Sequence, residues 1–181
     1  PYPTRAQRTH TTVEALALFE ALEQENEADA GDPITIAGRV VSRRHMGKTL
    51  FAHVRDGHGE LQLYIRKDVL GDEVYNRVLK LTDLGDWVQA TGTLFRTKTG
   101  EVSLKTTDVT MLSKALNAPP EKWHGLQDKE VRYRQRYADL IASAEVRKIF
   151  QTRSRIVTAI RRFLDNLGYI EVETPVLQPL Y

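Results

Sequence analysis

The chain has 181 residues, and 41% of them are hydrophobic, enough for a real core in one large or two small domains. It has no cysteine, which excludes disulfides and thiolate metal sites, and its five histidines lack paired ligand spacing, so we expect no bound metal. No apolar run approaches the ~18 residues of a membrane span, and no signal peptide is evident, which favours the cytoplasm. The net charge is only +2, but basic residues are concentrated after residue 32, which is compatible with a nucleic-acid partner.

Residues 1–32 are predicted to form a helical lead-in. Apolar residues recur at loosely helical spacing, at Val13, Leu16, Ala17 and Leu22. Phe19 falls off this stripe, and Thr11 or Thr12 is the expected N-cap. An acidic segment follows and ends at Asp32-Pro33, where the first strand is expected to begin.

Residues 34–67 show the pattern of three antiparallel strands. In the third strand, Leu61, Leu63 and Ile65 alternate with Gln62, Tyr64 and Arg66, and in the second, Leu50, Ala52 and Val54 alternate with Phe51, His53 and Arg55. This period of two is typical of half-buried strands. The turn between them, residues 56–59, is expected to supply the positive-φ glycines of a hairpin.

The polar side of these strands is a candidate nucleic-acid surface. It carries Phe51, His53, Gln62 and Tyr64, joined from the first strand by Arg39 and Arg43 provided that no bulge intervenes. Unpaired bases stack on aromatic rings for ~1–3 kcal/mol each, and arginine binds phosphates and base edges. The alternation alone is equally compatible with a solvent-exposed sheet face whose aromatic pairs stabilise neighbouring strands.

Two further strands complete the predicted domain, which spans residues 33–114. A helix is expected at residues 72–81, followed by strands at residues 87–97 and 102–112 that are joined by the turn at residues 97–101. Three strands, a helix and two strands is the order of the five-stranded OB-fold barrel, which commonly binds nucleic acids or sugars on the face of its second and third strands. We therefore predict a mainly β fold with flanking helices.

Residues 115–128 are predicted as a linker because two adjacent prolines, Pro119 and Pro120, stop regular structure. The basic run at residues 132–137 is either a solvated helix face or a phosphate contact. A long amphipathic helix is expected from an N-cap at Ser143 to a C-cap at Gly168. A strand at residues 169–173, stopped by Pro175, is predicted to follow.

Several of these segments resemble the lysyl-tRNA synthetases of the bacterial type, which are class II aminoacyl-tRNA synthetases. The resemblance covers nearly the whole chain, and its specific parts are residues 43–48, 62–64, 84–86, 97–101, 124–141 and 168–175. The last of these is similar to motif 1 of class II enzymes. The run from His124 to Ile141 is similar to lysyl rather than aspartyl enzymes.

The resemblance implies a lysine-tRNA ligase, in which an N-terminal OB-fold domain binds the tRNA anticodon. Residues 129–181 would then be the truncated start of the α+β catalytic domain, which in the family joins lysine to tRNA with ATP and magnesium. Its motif 1 implies a homodimer with Gly168 and Pro175 at the interface. Motifs 2 and 3, which carry the catalytic groups in the family, do not occur in these 181 residues. We therefore expect no catalytic residue and no cofactor site in this chain, and no lysine activation by it alone.

The resemblance also assigns roles to individual residues. Phe51 would stack on an anticodon base, and Gln62 and Arg43 would contact the edge of the central uridine. Glu101 would help to select a neighbouring base. An amide suits uracil, because uracil offers carbonyl acceptors and one imide donor while glutamine presents both a donor and an acceptor. The outer-face pattern adds further candidates for nucleic-acid binding, namely Arg39, Arg44, His53 and Tyr64.

Two other classes of function remain open. One is a non-catalytic OB module that binds tRNA or single-stranded nucleic acid. Such a module has no use for the helix that starts after Ser143, whose apolar stripe would stay unburied. The other is an interaction domain without nucleic acid, for which Phe51 and Gln62 could be replaced without any loss of RNA affinity.

Overall fold

A computed structural model of the chain describes residues 2–25, 31–120 and 125–177. Parts of the acidic segment after the first helix, and His124 at the start of the lysyl-like run, lie outside the described residues. The chain divides into two compact units, residues 1–118 and 119–181. The division falls immediately before the two adjacent prolines.

The first unit is a small β-barrel with helices attached. Its elements are α1 (Thr12–Gln24), β1 (Ile34–Met46), β2 (Thr49–Arg55), β3 (Glu60–Arg66), α2 (Lys67–Leu70), α3 (Asp72–Leu81), β4 (Trp87–Arg96) and β5 (Val102–Ser113). This order confirms the predicted succession of three strands, a helix and two strands. The barrel closes in the order β1, β2, β3, β5, β4, with β3 parallel to β5 and all other neighbours antiparallel.

Aliphatic side chains fill the barrel because every second residue of each strand points inward. Those that are at most 2% exposed are Ile36, Val40, Leu50, Val54, Leu61, Leu63, Ile65, Val88, Ala90 and Leu104. The inward sets of β2 and β3 are thus the ones that the sequence pattern predicts. The opposite side of the same strands faces out of the barrel.

Helix α1 begins at Thr11 and packs on the barrel through a different stripe from the predicted one. The Thr11 hydroxyl accepts from the Glu14 N–H, and the Glu14 carboxylate accepts from the Thr11 N–H, forming a capping box. The buried residues of the helix are Thr12, Ala15 and Phe19. The expectation that Phe19 lies off the buried stripe is wrong, since the stripe is rotated and leaves Val13 47% exposed.

The turn between β2 and β3 is held by a side chain rather than by positive-φ glycines. Neither Gly57 nor Gly59 has a positive φ, contrary to the prediction. Instead, one carboxylate oxygen of Asp56 accepts from the N–H groups of His58 (2.7 Å) and Gly59 (2.9 Å). The Asp56 carboxylate also accepts from the N–H and the hydroxyl of Thr12, both at 2.8 Å. Asp56 therefore ties the start of α1 to the hairpin.

Replacing Asp56 with asparagine is expected to lower the free energy of unfolding by about 1–2 kcal/mol at neutral pH, because a charged acceptor of several hydrogen bonds is lost. Burial tends to raise the pKa of Asp56, but the N–H groups of Thr12, Gly59 and His58 outweigh it and leave the pKa below its ordinary value. The stabilisation is therefore complete above the unfolded-state pKa, near ~4, and is lost as the pH falls through the lower folded-state pKa. Urea denaturation at several pH values measures it.

The difference between the wild type and Asp56→Asn should shrink in acid, because the protonated carboxyl then resembles the amide. Asp108→Asn is the matched control, since Asp108 is exposed and its carboxylate accepts a long 3.4 Å hydrogen bond from the Thr110 hydroxyl. That control should change stability by less than about 0.5 kcal/mol. A difference for Asp56→Asn that stays constant down to strong acid would contradict the prediction.

The second unit contains α4 (Lys129–Arg134), α5 (Arg136–Ala142) and α6 (Ala144–Asn166). The N-cap of α6 is the predicted Ser143, whereas its C-cap is Leu167, one residue before the predicted Gly168. The Ser143 hydroxyl accepts from the Val146 N–H, and Gly168 has a φ of +83°. At that end the Tyr169 N–H donates to the Leu164 carbonyl over 3.1 Å, which completes a Schellman motif.

The predicted strand at residues 169–173 is not present, and these residues have no regular secondary structure. A strand needs a neighbour to accept its ladder of hydrogen bonds, and the described residues provide none here. The exposed apolar side chains of this unit include Ile149, Ile156, Ile160, Phe163, Leu167, Ile170 and Val172. None of the described helices is both long and apolar enough to cross a membrane.

The basic run of the second unit is partly neutralised. Asp139 is 2% exposed and accepts from Arg132 (3.1 Å) and from Arg136 (2.7 Å). The Arg136 guanidinium also lies over the rings of Tyr133 and Phe150. Arg132 and Arg136, two of the three arginines in this run, therefore support the packing of α4 and α5. This favours a structural role over a phosphate contact for these two residues.

Candidate nucleic-acid interface

A β-bulge at Val41 decides which arginines of β1 face outward. Val40 is opposite Val54, but Ser42 is opposite His53, so one residue of β1 is skipped in the pairing with β2. A one-residue shift moves the following side chains to the opposite face of the sheet. Beyond the bulge, the outward positions are therefore the even-numbered ones.

Arg43 consequently lies on the inner side of β1, opposite the buried Ala52. The expectation that it faces outward beside the aromatic pair is wrong, because that expectation required an unbroken strand. Its guanidinium donates to the carbonyl of Leu79 over 2.7 Å and to the carbonyl of Thr82. These carbonyls are at the C-terminal end of α3, where backbone acceptors lack partners within the helix. Arg43 thus fastens α3 to the barrel.

Arg44, rather than Arg43, lies on the outer face, at one end of a row of aromatic side chains. Its guanidinium lies 5.6 Å from the centre of the Phe51 ring, within the range of a cation–π contact. The ring centres of Phe51 and Tyr64 are 5.2 Å apart, and those of Tyr64 and Phe95 are 5.1 Å apart. The row crosses β1, β2, β3 and β4 on the outer face.

Phe95 is a member of this row that our sequence reasoning missed. It is next to Leu94, which points into the barrel, so the alternation of β4 does indicate an outward ring. Its contact with Tyr64 passes over β5, where the intervening residue Ser103 is small and fully buried. Pairing of β3 with β5 is a tertiary feature, and the sequence pattern of β4 alone contains no sign of it.

A polar cluster adjoins the aromatic row. One carboxylate oxygen of Glu101 accepts from the Gln62 side-chain amide over 2.6 Å, and the other lies 2.7 Å from Nε2 of His53. Nδ1 of His53 lies 2.8 Å from the Ser42 hydroxyl. The Ser103 hydroxyl donates to the amide oxygen of Gln62 over 2.9 Å. The structure therefore brings the predicted residues Gln62, His53 and Glu101 together, with Gln62 only 5% exposed and Glu101 accessible.

Arg39 is also on the outer face, but away from this cluster. Its guanidinium donates to the Gly85 carbonyl over 2.9 Å and lies 5.1 Å from the centre of the Trp87 ring. Its cross-strand neighbour is Arg55, the next outward position along β2 from His53. Of the predicted site residues, Arg39 and Arg43 therefore do not join the cluster around Phe51.

The outer face combines the chemical groups that unpaired bases need. Three rings offer stacking surfaces, Arg44 offers a cation, and the cluster offers hydrogen-bond donors and acceptors side by side. Within the described parts of the chain, no group of three or more histidine or carboxylate side chains is arranged to hold a metal ion.

Comparison with known proteins assigns both units. Residues 34–112 match the family described as OB-fold nucleic acid binding domain, and residues 128–181 match the family described as tRNA synthetases class II (D, K and N). The chain is 53% identical over 182 aligned residues to the lysine-tRNA ligase of Roseiflexus castenholzii, which covers 100% of the chain. It is 50% identical to that of Chloroflexus aurantiacus and 47% identical to that of Bacillus cytotoxicus, over 100% and 99% of the chain.

The chain spans about a third of the length of these relatives, since the aligned region is 36% of each. The similarity extends through both units, from the barrel into the helices that follow it. The second unit therefore matches the class II tRNA synthetases, the first unit matches the OB-fold nucleic acid binding domains, and the relatives that resemble the whole chain are lysine-tRNA ligases.

Proposed function

We propose that this chain is the anticodon-binding part of a lysine-tRNA ligase. The observation that carries the proposal is the outer face of the barrel, where Phe51 and Tyr64 lie beside the cluster of Gln62 and Glu101. The similarity to lysine-tRNA ligases supports the choice of a lysine tRNA as the RNA. A face that stacks bases and tests their edges needs single-stranded nucleotides, as in an anticodon loop.

In this proposal, Phe51 stacks on an anticodon base, and Arg44 takes the role that the sequence suggested for Arg43. Gln62 is almost fully covered by its partners in the free protein. A uracil edge would therefore take over the hydrogen bond that Gln62 now donates to Glu101. Glu101 then supplies an acceptor for the imide N–H of that base or for a donor on its neighbour. Tyr64 extends the stacking surface, and His53 holds the Glu101 carboxylate.

The remaining parts of the proposal concern the whole protein. We propose that it is a cytoplasmic homodimer that uses ATP and magnesium to join lysine to tRNA. ATP, magnesium and lysine would be bound by the part of the relatives' length that this chain does not span. Gly168 and Pro175 would lie at the dimer interface, which would cover the exposed apolar residues of α6 such as Ile160 and Phe163.

Binding to two RNA hairpins tests the function. One hairpin carries a lysine anticodon loop, and the other differs only at the central uridine. Phe51→Ala is expected to weaken both complexes by roughly 1–3 kcal/mol, because a stacking surface is lost. Gln62→Ala is expected to erase the preference between the hairpins, because the amide that contacts the base edge is gone. Fluorescence anisotropy at several salt concentrations measures the six affinities of the wild type and the two variants.

Gln89→Ala is the matched control, since Gln89 is a half-buried glutamine on β4 whose side chain accepts from the Gln7 N–H over 2.6 Å and is not a member of the polar cluster. It should leave both affinities unchanged, and circular dichroism should show that all variants are folded. If the two hairpins bind alike with a steep salt dependence, and neither Phe51→Ala nor Gln62→Ala has an effect, the barrel is a general polyanion binder. That result would overturn the proposed function.

A further inference from the structure

A recess lies beside the third ring of the aromatic row. Its volume is about 350 Å³, and its lining includes Tyr64, Phe95, Arg66, Thr93 and Lys105. This volume is at the small end of the ~300–1,000 Å³ that is typical of ligand pockets. The recess adjoins the cluster around Phe51 and Gln62 through the Tyr64 ring, which belongs to both.

The walls of the recess differ in chemistry. Tyr64 and Phe95, with ring centres 5.1 Å apart, form an aromatic side. Lys105 is exposed on β5, directly between Tyr64 of β3 and Thr93 of β4 in the strand register. Arg66 forms a salt bridge with Asp68, whereas Lys105 has no ion-pair partner within the described residues. The recess therefore combines a stacking surface with an ammonium group that is available to an anion.

We propose that the recess binds one nucleotide of the tRNA loop, next to the bases that Phe51 and Gln62 contact. The base lies against Phe95, and Lys105 binds a phosphate of the same strand. This inference rests on the proposed function and extends its footprint beyond the residues suggested by the sequence. A nucleotide is favoured over other small ligands because the aromatic row is continuous and the Lys105 ammonium, which has no ion-pair partner among the described residues, complements a backbone phosphate.

An abasic scan of the hairpin loop tests the stacking part. Each loop nucleotide outside the three anticodon positions is replaced in turn by an abasic one, and affinity is measured for the wild type, Phe95→Leu and Phe95→Tyr. Removing one particular base should weaken the wild type by roughly 5- to 150-fold, the range expected for one stacked base. The same removal should have little further effect on Phe95→Leu. Phe95→Tyr keeps a ring and should behave as the wild type.

Salt dependence tests the phosphate contact. Lys105→Gln should reduce the slope of log affinity against log salt by about 0.7, the value for one phosphate of a single strand. Lys80→Gln is the control, because Lys80 is an exposed lysine on α3 outside the recess. Its slope should equal that of the wild type.

The outcomes separate this inference from the function on which it rests. If the preference for the central uridine is intact but no abasic position couples to Phe95, and Lys105→Gln leaves the salt slope unchanged, the recess is not a nucleotide site and the proposed function stands. Coupling of one base to Phe95, together with the reduced slope of Lys105→Gln, supports the inference. If the wild type shows no preference for the central uridine, the proposed function is overturned, and this inference is overturned with it.

Discussion

Replacing Gly92 with alanine is expected to lower the free energy of unfolding of the barrel by about 3 kcal/mol. A Cβ atom on Gly92 would lie 2.1 Å from the carbonyl oxygen of Lys105 and 2.8 Å from its carbonyl carbon. Both atoms belong to the backbone, so no side-chain rotation can relieve the contact. The pairing of β4 with β5 shifts between Thr91 and Gly92, and the two strands approach closely at this point. Urea denaturation followed by circular dichroism measures the loss.

Gly57→Ala is the matched control for this change. Gly57 lies in the β2–β3 turn without a positive φ, and a Cβ there would have no atom within 4 Å. Its stability should stay within about 0.5 kcal/mol of the wild type. Equal stability of Gly92→Ala and the wild type would show that β4 and β5 can separate at little cost. Because this register determines where Phe95 and Lys105 lie, RNA binding by Gly92→Ala should decrease in proportion to its folded fraction.

Replacing Asp86 with alanine is expected to cost about 3 kcal/mol of stability. Asp86 is fully buried, and its carboxylate accepts from the N–H groups of Asp83 (2.7 Å) and Ala115 (2.8 Å) and from the Lys114 ammonium (2.8 Å). Removing the carboxylate leaves buried donors without an acceptor. The loop before β4 and the end of β5 would then lose their common anchor. Thermal and urea unfolding at neutral pH measure the effect.

The contribution of Asp86 should depend on pH in a defined direction. Burial tends to raise the pKa of Asp86, but hydrogen bonds from Asp83, Lys114 and Ala115 outweigh it and hold the pKa below its ordinary value. The stabilisation is therefore present above the unfolded-state pKa near ~4 and is lost as the pH falls through the folded-state pKa. Asp83→Ala is the control, because Asp83 is 63% exposed and binds the same Lys114. It should cost less than about 1 kcal/mol, and an equal loss from both variants would contradict the assigned role of Asp86.

The sequence pattern predicted those features that depend only on residues close together in the chain. The alternation of β2 and β3 identified the interior residues, and the polar side placed Phe51 and Tyr64 together, as their ring contact confirms. The N-cap at Ser143 and the place of Gly168 at the end of the helix were also predictable, because a capping hydroxyl and a positive-φ glycine act within one turn of the helix.

Features that depend on distant strands were not predictable. The bulge at Val41 has no sequence signature of its own, yet it exchanges the sides of Arg43 and Arg44. The place of Phe95 in the aromatic row requires β5 to lie between β3 and β4 with a small residue at Ser103. The pattern at residues 169–173 is that of a strand, but a pattern cannot provide the neighbour with which a strand must pair.

The hydrogen bonds of Gln62 have a consequence for how a base could be distinguished. A glutamine amide can turn by 180°, and its two orientations present opposite orders of donor and acceptor. The Glu101 carboxylate can only accept, so it must face the amide nitrogen, while the Ser103 hydroxyl donates to the amide oxygen. The two partners thus lock one orientation before any RNA is present. The edges of uracil and cytosine carry opposite orders of donor and acceptor. Under the proposed function, the fixed orientation of the Gln62 amide would therefore match only one of these two bases.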